Sequence, residues 1–216
     1  MSHVRLEEQL ADAKNQFTAS TPVEALELLE RSLRELQDSG NYPGVSIGEK
    51  VKDFTATDAL GNKVSLYEEL SKGPVVLVFY RGSWCPFCNL QLKAYQRILP
   101  QIHAVGAQLI AISPQSPDNS LTIIEKQNLS YKVLSDNNGL AAAKYNILYE
   151  VPDYLQHMLE SVGLNLAEYN STNRWILPVP ATFMIDESAI VRSAYVNPNF
   201  MQRMEPADIL YELQKL

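Results

Sequence analysis

Along the first forty residues the apolar positions recur at helical spacing. Leu6, Leu10, Ala13 and Phe17 follow at intervals of four, three and four, and Leu26, Leu29, Leu33 and Leu36 at three, four and three. Each set makes one apolar stripe, so the pattern predicts two amphipathic helices and makes residues 1–46 a helical extension. Between them "STPVE" offers Thr21 as N-cap, Pro22 at the first helical position and Glu24 three residues after the cap, a capping box. Gly40 and the following "NYPG" end the second helix, because glycine accepts the left-handed conformation and Pro43 cannot continue a helix. The stripes are expected to pack on the chain's own domain. A homodimer seam is the alternative, although two heptads are too short for a coiled coil.

From Asp53 the periodicity changes. "DFTATDALGNKVSL" alternates around a Gly61-Asn62 turn and predicts a hairpin, after which "LYEELSK" reads as a short helix and Gly73-Pro74 as a breaker. Val75 to Tyr80 is uniformly apolar, the signature of a strand covered on both faces. A helix from Cys85 to about His103, the strand "AQLIAIS" and a helix around Asn119 to Gln127 follow, an alternation that demands parallel pairing. "YKVLSD", "ATFMID" and "AIVRSAYV" supply further strands and "PADILYELQKL" a closing helix. The predicted fold class is α/β, a three-layer α/β/α sandwich over residues 47–216. One irregular insertion, residues 147–175, is long enough to form a wall or lid.

Composition narrows the function. A net charge of -7 and a pI near 5.0 leave no basic stripe for nucleic acid or an anionic membrane. The N-terminus carries acids where a signal peptide needs an apolar core, and no run of eighteen apolar residues occurs, so a cytoplasmic location is expected.

The chemistry gathers at "VVLVFYRGSWCPFCNLQL", which holds the only two cysteines, Cys85 and Cys88. They open a helix at the end of a parallel strand, the sheet edge where α/β proteins place ligands. Cys85 falls near the N-cap, Pro86 at the first helical position and Cys88 at the third, so the two sulfurs share one face. The helix start offers free amides and partial positive charge, which bring a thiol from about 8.5 into the range of roughly 3.5 to 7.5. One sulfur can therefore attack at neutral pH and the other can resolve the product as an intramolecular disulfide. Cys85, at the helix mouth, is the expected nucleophile. Zinc needs four ligands, and His3, His103 and His157 are not in finger-like spacing, so neither metal nor other cofactor is expected. Trp84 is read as an apolar cap on the site, Tyr80 as core, Arg81 as a surface turn residue close enough to lower a cysteine pKa, and Ser113 and Asp136 as turn and cap residues.

The segments "DFTATDALGNKVSL", "VVLVFYRGSWCPFCNLQL", "LIAISPQSPDNSL", "YKVLSDNNGLAAAKYNI", "RWILPVPATFMID" and "QRMEPADIL" occur in an order that resembles peroxiredoxin-like proteins of the alkyl hydroperoxide reductase and thiol-specific antioxidant family. The resemblance implies a thioredoxin-like fold and thiol-dependent reduction of hydrogen peroxide or an organic hydroperoxide, with thioredoxin or glutathione as reductant. That family's active site reads Pro-x-x-x-Thr-x-x-Cys. Ending the motif on Cys88 puts Cys85 at the threonine and Arg81 at the proline, and ending it on Cys85 puts Gly82 and Val78 there. Aligning "ATFMID" with the family's strand puts Pro180 where typical members carry an arginine. Cys-Pro-Phe-Cys itself resembles thioredoxins and glutaredoxins, which implies a cis Pro180 facing the sulfurs and a Val179 backbone open to a bound peptide or thiol. A protein disulfide reductase and a redox-sensing binding module are the alternatives.

Overall fold

The uniformly apolar run at 75–80 becomes the middle of a mixed sheet. In the computed structural model, which describes residues 4–216 and so leaves His3 outside the described residues, β3 (Val75–Phe79) is buried along its whole length. It pairs in parallel with β4 (Gln108–Ser113), which pairs in parallel with β5 (Lys132–Ser135). The hairpin of β1 (Thr55–Asp58) and β2 (Lys63–Ser65) joins β5 in antiparallel register. On the other side β8 (Ala181–Ile185) pairs antiparallel with β3 and β9 (Val191–Val196) antiparallel with β8, giving the seven-stranded order β2-β1-β5-β4-β3-β8-β9.

The short α3 (Leu66–Leu70) follows β2, with Ser65 as its cap. Three longer helices lie against the sheet: α4 (Pro86–Ala104), α5 (Pro117–Gln127) and α9 (Pro206–Leu213). The α5 start is capped by Ser116, whose hydroxyl accepts the Asn119 N–H, while Ser113 ends β4 as a buried strand residue. Asp136 caps as expected: its carboxylate accepts the N–H groups of Ala141 and Ala142 in α6 (Leu140–Lys144). Phe79, Tyr145 and Phe183 form the aromatic centre of the core, with ring centres 5.1 to 6.2 Å apart.

The N-terminal stripes are used within the chain. Helices α1 (Leu6–Ser20) and α2 (Val23–Ser39) turn Leu6, Leu10 and Leu29 into the core. The expected capping box is absent. The Thr21 hydroxyl donates back to the Phe17 carbonyl at 2.6 Å, and Pro22, not Thr21, stands at the cap of α2. Thr21 thus ends the first helix instead of starting the second. Gly40 closes α2 in the left-handed conformation, at φ 60°.

The insertion folds into β6 (Leu148–Glu150), α7 (Asp153–Ser161) and α8 (Leu166–Tyr169). Strand β6 pairs antiparallel with β7 (Ile176–Pro178), making a two-stranded clasp just ahead of β8. Among the described residues no helix is long and apolar enough to cross a membrane.

Candidate active site

Strand β3 delivers the chain to the loop Tyr80–Trp84, and α4 opens on the cysteines with Cys85 as N-cap and Pro86 at the first turn. A polar network fixes this loop. The Ser83 N–H donates to Gln115 Oε1 at 2.8 Å, Gln115 Nε2 donates to the hydroxyls of Tyr80 at 2.9 Å and Ser120 at 3.1 Å, and Asn89 Nδ2 donates to the Ser83 carbonyl at 2.9 Å. The Ser83 hydroxyl pairs with that of Tyr169 in the insertion. Gly82 is required here: at φ 156° an added Cβ would lie 2.3 Å from Trp84 Nε1, so only glycine lets the indole fold back.

Both sulfurs are free thiols in this structure and both are buried, Cys85 at 1% exposure and Cys88 at 0%. Cys85 is therefore not open at a helix mouth. It lines an apolar cavity of about 300 Å³ whose walls come from Phe17, Leu29, Trp84, Met158, Leu159 and Phe200. Phe87, between the cysteines, packs edge-on against Phe17 of α1 and Phe200, with ring centres 5.9 and 5.7 Å away. The N-terminal extension thereby roofs the redox pair.

Two buried arginines frame it. Arg81 is not a surface turn residue. It is 4% exposed, and its guanidinium carbon lies 4.8 Å from the Trp84 ring centre and 4.2 Å from that of Phe200. Burial works against its charge, but the neighbouring Tyr149, Cys85 and Cys88 groups favour it and hold its pKa above the ordinary value. The turn is short and the loop folds inward, where aromatic faces solvate the cation. Arg203, 7% exposed, places Nη2 3.2 Å from Cys88 Sγ. Its orientation is locked by Gln91 Oε1 at 2.8 Å and by the carbonyls of Phe200 and Gln202, each at 2.6 Å. Among the described residues neither arginine pairs with a carboxylate. The sulfurs are the anions left to balance them.

That surplus of positive charge favours a thiolate at Cys88 over one at Cys85. Burial works against a Cys88 thiolate, but the hydrogen bond from Cys85, the Arg203 charge and the backbone N–H and charge of Arg81 together hold it well below the usual thiol range. Burial first, then the hydrogen bond to Cys88 and the negative charge there, push the Cys85 thiol well above it. The sequence places the ionised sulfur at Cys85; in the structure the Arg203 guanidinium sits on Cys88, a contact made across 115 positions of chain, and favours the thiolate there.

The expectation for Val179 and Pro180 is also corrected. No described peptide bond is cis, so Pro180 is trans. The Val179 N–H donates to the Ile147 carbonyl at 2.7 Å and the Pro180 carbonyl accepts the Asn197 N–H at 3.1 Å, so neither group is open to a bound peptide. The β6–β7 clasp has taken the place of a guest strand. Sequence reasoning also passed over Arg203, Gln91, Gln115 and Tyr149. Arg203 lies in the quoted segment "QRMEPADIL", but nothing local marks an arginine ahead of a C-terminal helix as a partner of sulfur.

Residues 47–194, well over half of the chain, match the AhpC/TSA family. The chain belongs to the AhpC/TSA family. It is 32% identical over 134 residues to a chloroplastic peroxiredoxin Q of Gentiana triflora, covering 60% of this chain and 61% of that one. A thiol-disulfide oxidoreductase, ResA, of Bacillus thuringiensis subsp. konkukian (strain 97-27) is 26% identical over 105 residues, 48% of this chain and 60% of that one. The chain thus spans about three-fifths of the length of these relatives. The solved peroxidoxin BcpB of Mycobacterium tuberculosis superposes with a TM-score of 0.63 at 22% identity, over 80% of this chain and 98% of that one. The fold is the thioredoxin-like α/β fold of the peroxiredoxins. The cation on the Cys88 sulfur comes from the segment before α9 and not from the Pro180 position.

Proposed function

We propose that the protein is a thiol peroxidase in which Cys88 is the attacking thiolate and Cys85 the resolving thiol. The observation that carries the reading is the Arg203 guanidinium 3.2 Å from a buried Cys88 sulfur that has a second thiol beside it. In the register that ends the family motif on Cys88, Cys85 occupies the threonine position, and its S–H supplies the donor the hydroxyl would have given.

The steps follow from that placement. The Cys88 thiolate attacks the terminal oxygen of a hydroperoxide that enters beside Cys85, forming an S–O bond as the O–O bond breaks. The departing alkoxide takes the Cys85 proton and leaves as an alcohol, or as water when the substrate is hydrogen peroxide. Arg203 and Arg81 offset the developing negative charge, a kind of stabilisation for which the loss of one donor costs roughly 10²- to 10³-fold. The Cys85 thiolate then attacks the Cys88 sulfenic sulfur and expels hydroxide, which becomes water on taking a proton from solvent. The product is the Cys85–Cys88 disulfide, which a thiol reductant reopens. The apolar lining of the cavity favours an organic hydroperoxide over hydrogen peroxide. Thioredoxin and glutathione are the two reductants the family resemblance implies, and a reducing compartment such as the cytoplasm suits the cycle.

A second reading, thiol-disulfide exchange with proteins, draws on the Cys-Pro-Phe-Cys motif and the ResA relative. The occupied Val179 N–H weighs against it. Consumption of cumene hydroperoxide in the presence of dithiothreitol tests the proposal. Turnover above the uncatalysed rate that vanishes in Cys88→Ser supports it, and reduction of insulin disulfides without peroxide turnover would favour the second reading.

A further inference from the structure

The route to Cys85 also bears on what restores the dithiol. A protein reductant must bring its own sulfur within bonding distance of the acceptor sulfur, and such partners settle by backbone pairing along an open strand edge. Here that edge is closed by the Ile147–Val179 hydrogen bond, and α1, α2 and the segment around α7 roof the pair. What remains is the cavity of about 300 Å³, at the small end of the range of roughly 300–1,000 Å³ for ligand pockets. Its walls are mostly apolar, Ser20, Thr21 and the redox cysteine Cys85 aside, and Arg81 is the one charged residue among them. That guanidinium is buried without a carboxylate partner among the described residues, and its Nε has no hydrogen-bond partner.

We propose that the oxidised Cys85–Cys88 pair is re-reduced by a small thiol with an apolar body, which enters this cavity and presents its thiolate to Cys85 beside Arg81. The inference rests on the redox-pair reading above. The charge of Arg81 complements an incoming thiolate, whereas a bulky charged body such as that of glutathione would have to shed water among Phe17, Leu29 and Met158. The incoming thiolate attacks Cys85 Sγ, the disulfide breaks, and Cys88 leaves as the thiolate that Arg203 stabilises. A second thiolate attacks the outer sulfur of the mixed disulfide and carries it away as the small-molecule disulfide. Cys85 then takes one proton. Two thiols have given two electrons, and of their two protons one stays on Cys85 and one goes to solvent.

The test starts from protein oxidised with diamide, so that a failure of the peroxidase reading is seen separately, in the turnover assay. Re-reduction is followed by thiol trapping and mass measurement with mercaptohexanol, glutathione or thioredoxin, each rate normalised to thiolate concentration. Mercaptohexanol is expected to act at least tenfold faster than either of the others. Ala25→Phe inside the cavity and Val162→Trp at its rim, where residue 162 is 62% exposed, are expected to slow it threefold or more. Val162→Trp decides the matter if Ala25→Phe does not fold. Thioredoxin or glutathione matching mercaptohexanol, or an unchanged mercaptohexanol rate in a folded Val162→Trp protein, would overturn the proposal.

Discussion

Arg203 and Cys88 form the contact on which the chemistry turns, and the contact makes a signed prediction. An opposite charge at this distance favours the ionised form. Removing it in Arg203→Met should raise the Cys88 pKa, so the thiolate fraction at neutral pH falls and is recovered only at higher pH. A pH titration of the thiolate's ultraviolet absorbance checks this, with Arg203→Lys expected to fall between the two; superimposable titrations would refute the role of the guanidinium. The two cysteines, their helix start and their neighbour Trp84 were legible in the sequence, because spacing and a strand-to-helix turn are local properties; the burial of Arg81 was not. Nor was the ionisation order. It depends on an arginine brought 115 positions along the chain, and on burial of both sulfurs by residues as remote as Phe17.

Among the elements, those with a clear period were read correctly: the β1–β2 hairpin, the buried β3 and β4, and the long α4. The β6–β7 clasp escaped, since three-residue strands carry too few positions to show alternation, and with it went the expectation of an open Val179. The Thr21 cap failed for a related reason, as Ser/Thr-Pro serves equally to end one helix and to start the next. A less visible tie joins α3 to β5. Buried Glu69 receives Lys72 at 2.7 Å and Lys132 at 2.9 Å. Burial would raise its pKa, but the two lysines bring it below the usual carboxylate value. A depressed carboxylate pKa contributes stability that is present above the unfolded-state pKa, near 4.3, and is lost as pH falls through the lower folded-state value. Glu69→Gln should remove that contribution, costing about 1 kcal/mol at pH 7 because both lysines remain largely solvated. Urea unfolding at pH 7 and pH 3 measures it, and an equal difference between wild type and variant at both pH values would contradict the assignment.

At the scale of the whole molecule, the N-terminal helices border the redox pair, since they place Phe17 on Phe87 and wall the cavity with Ala25 and Leu29. Phe17→Ala should cost about 1–2 kcal/mol, less than a core phenylalanine because the ring is only half-buried, and should speed alkylation of Cys85 by a bulky maleimide. Unchanged alkylation with normal stability would show that the extension is not a roof. The central claim, that one ionised and one protonated sulfur divide the work with Cys88 as the attacker, is tested most directly by treating Cys85→Ser and Cys88→Ser with one equivalent of hydroperoxide in the presence of a sulfenate-specific probe. Cys85→Ser, whose hydroxyl replaces the S–H donor, is predicted to trap sulfenic acid on Cys88 at a rate near that of wild-type oxidation, and Cys88→Ser to label at least tenfold more slowly. Rapid sulfenate formation on Cys85 in Cys88→Ser, with Cys85→Ser inert, would contradict it.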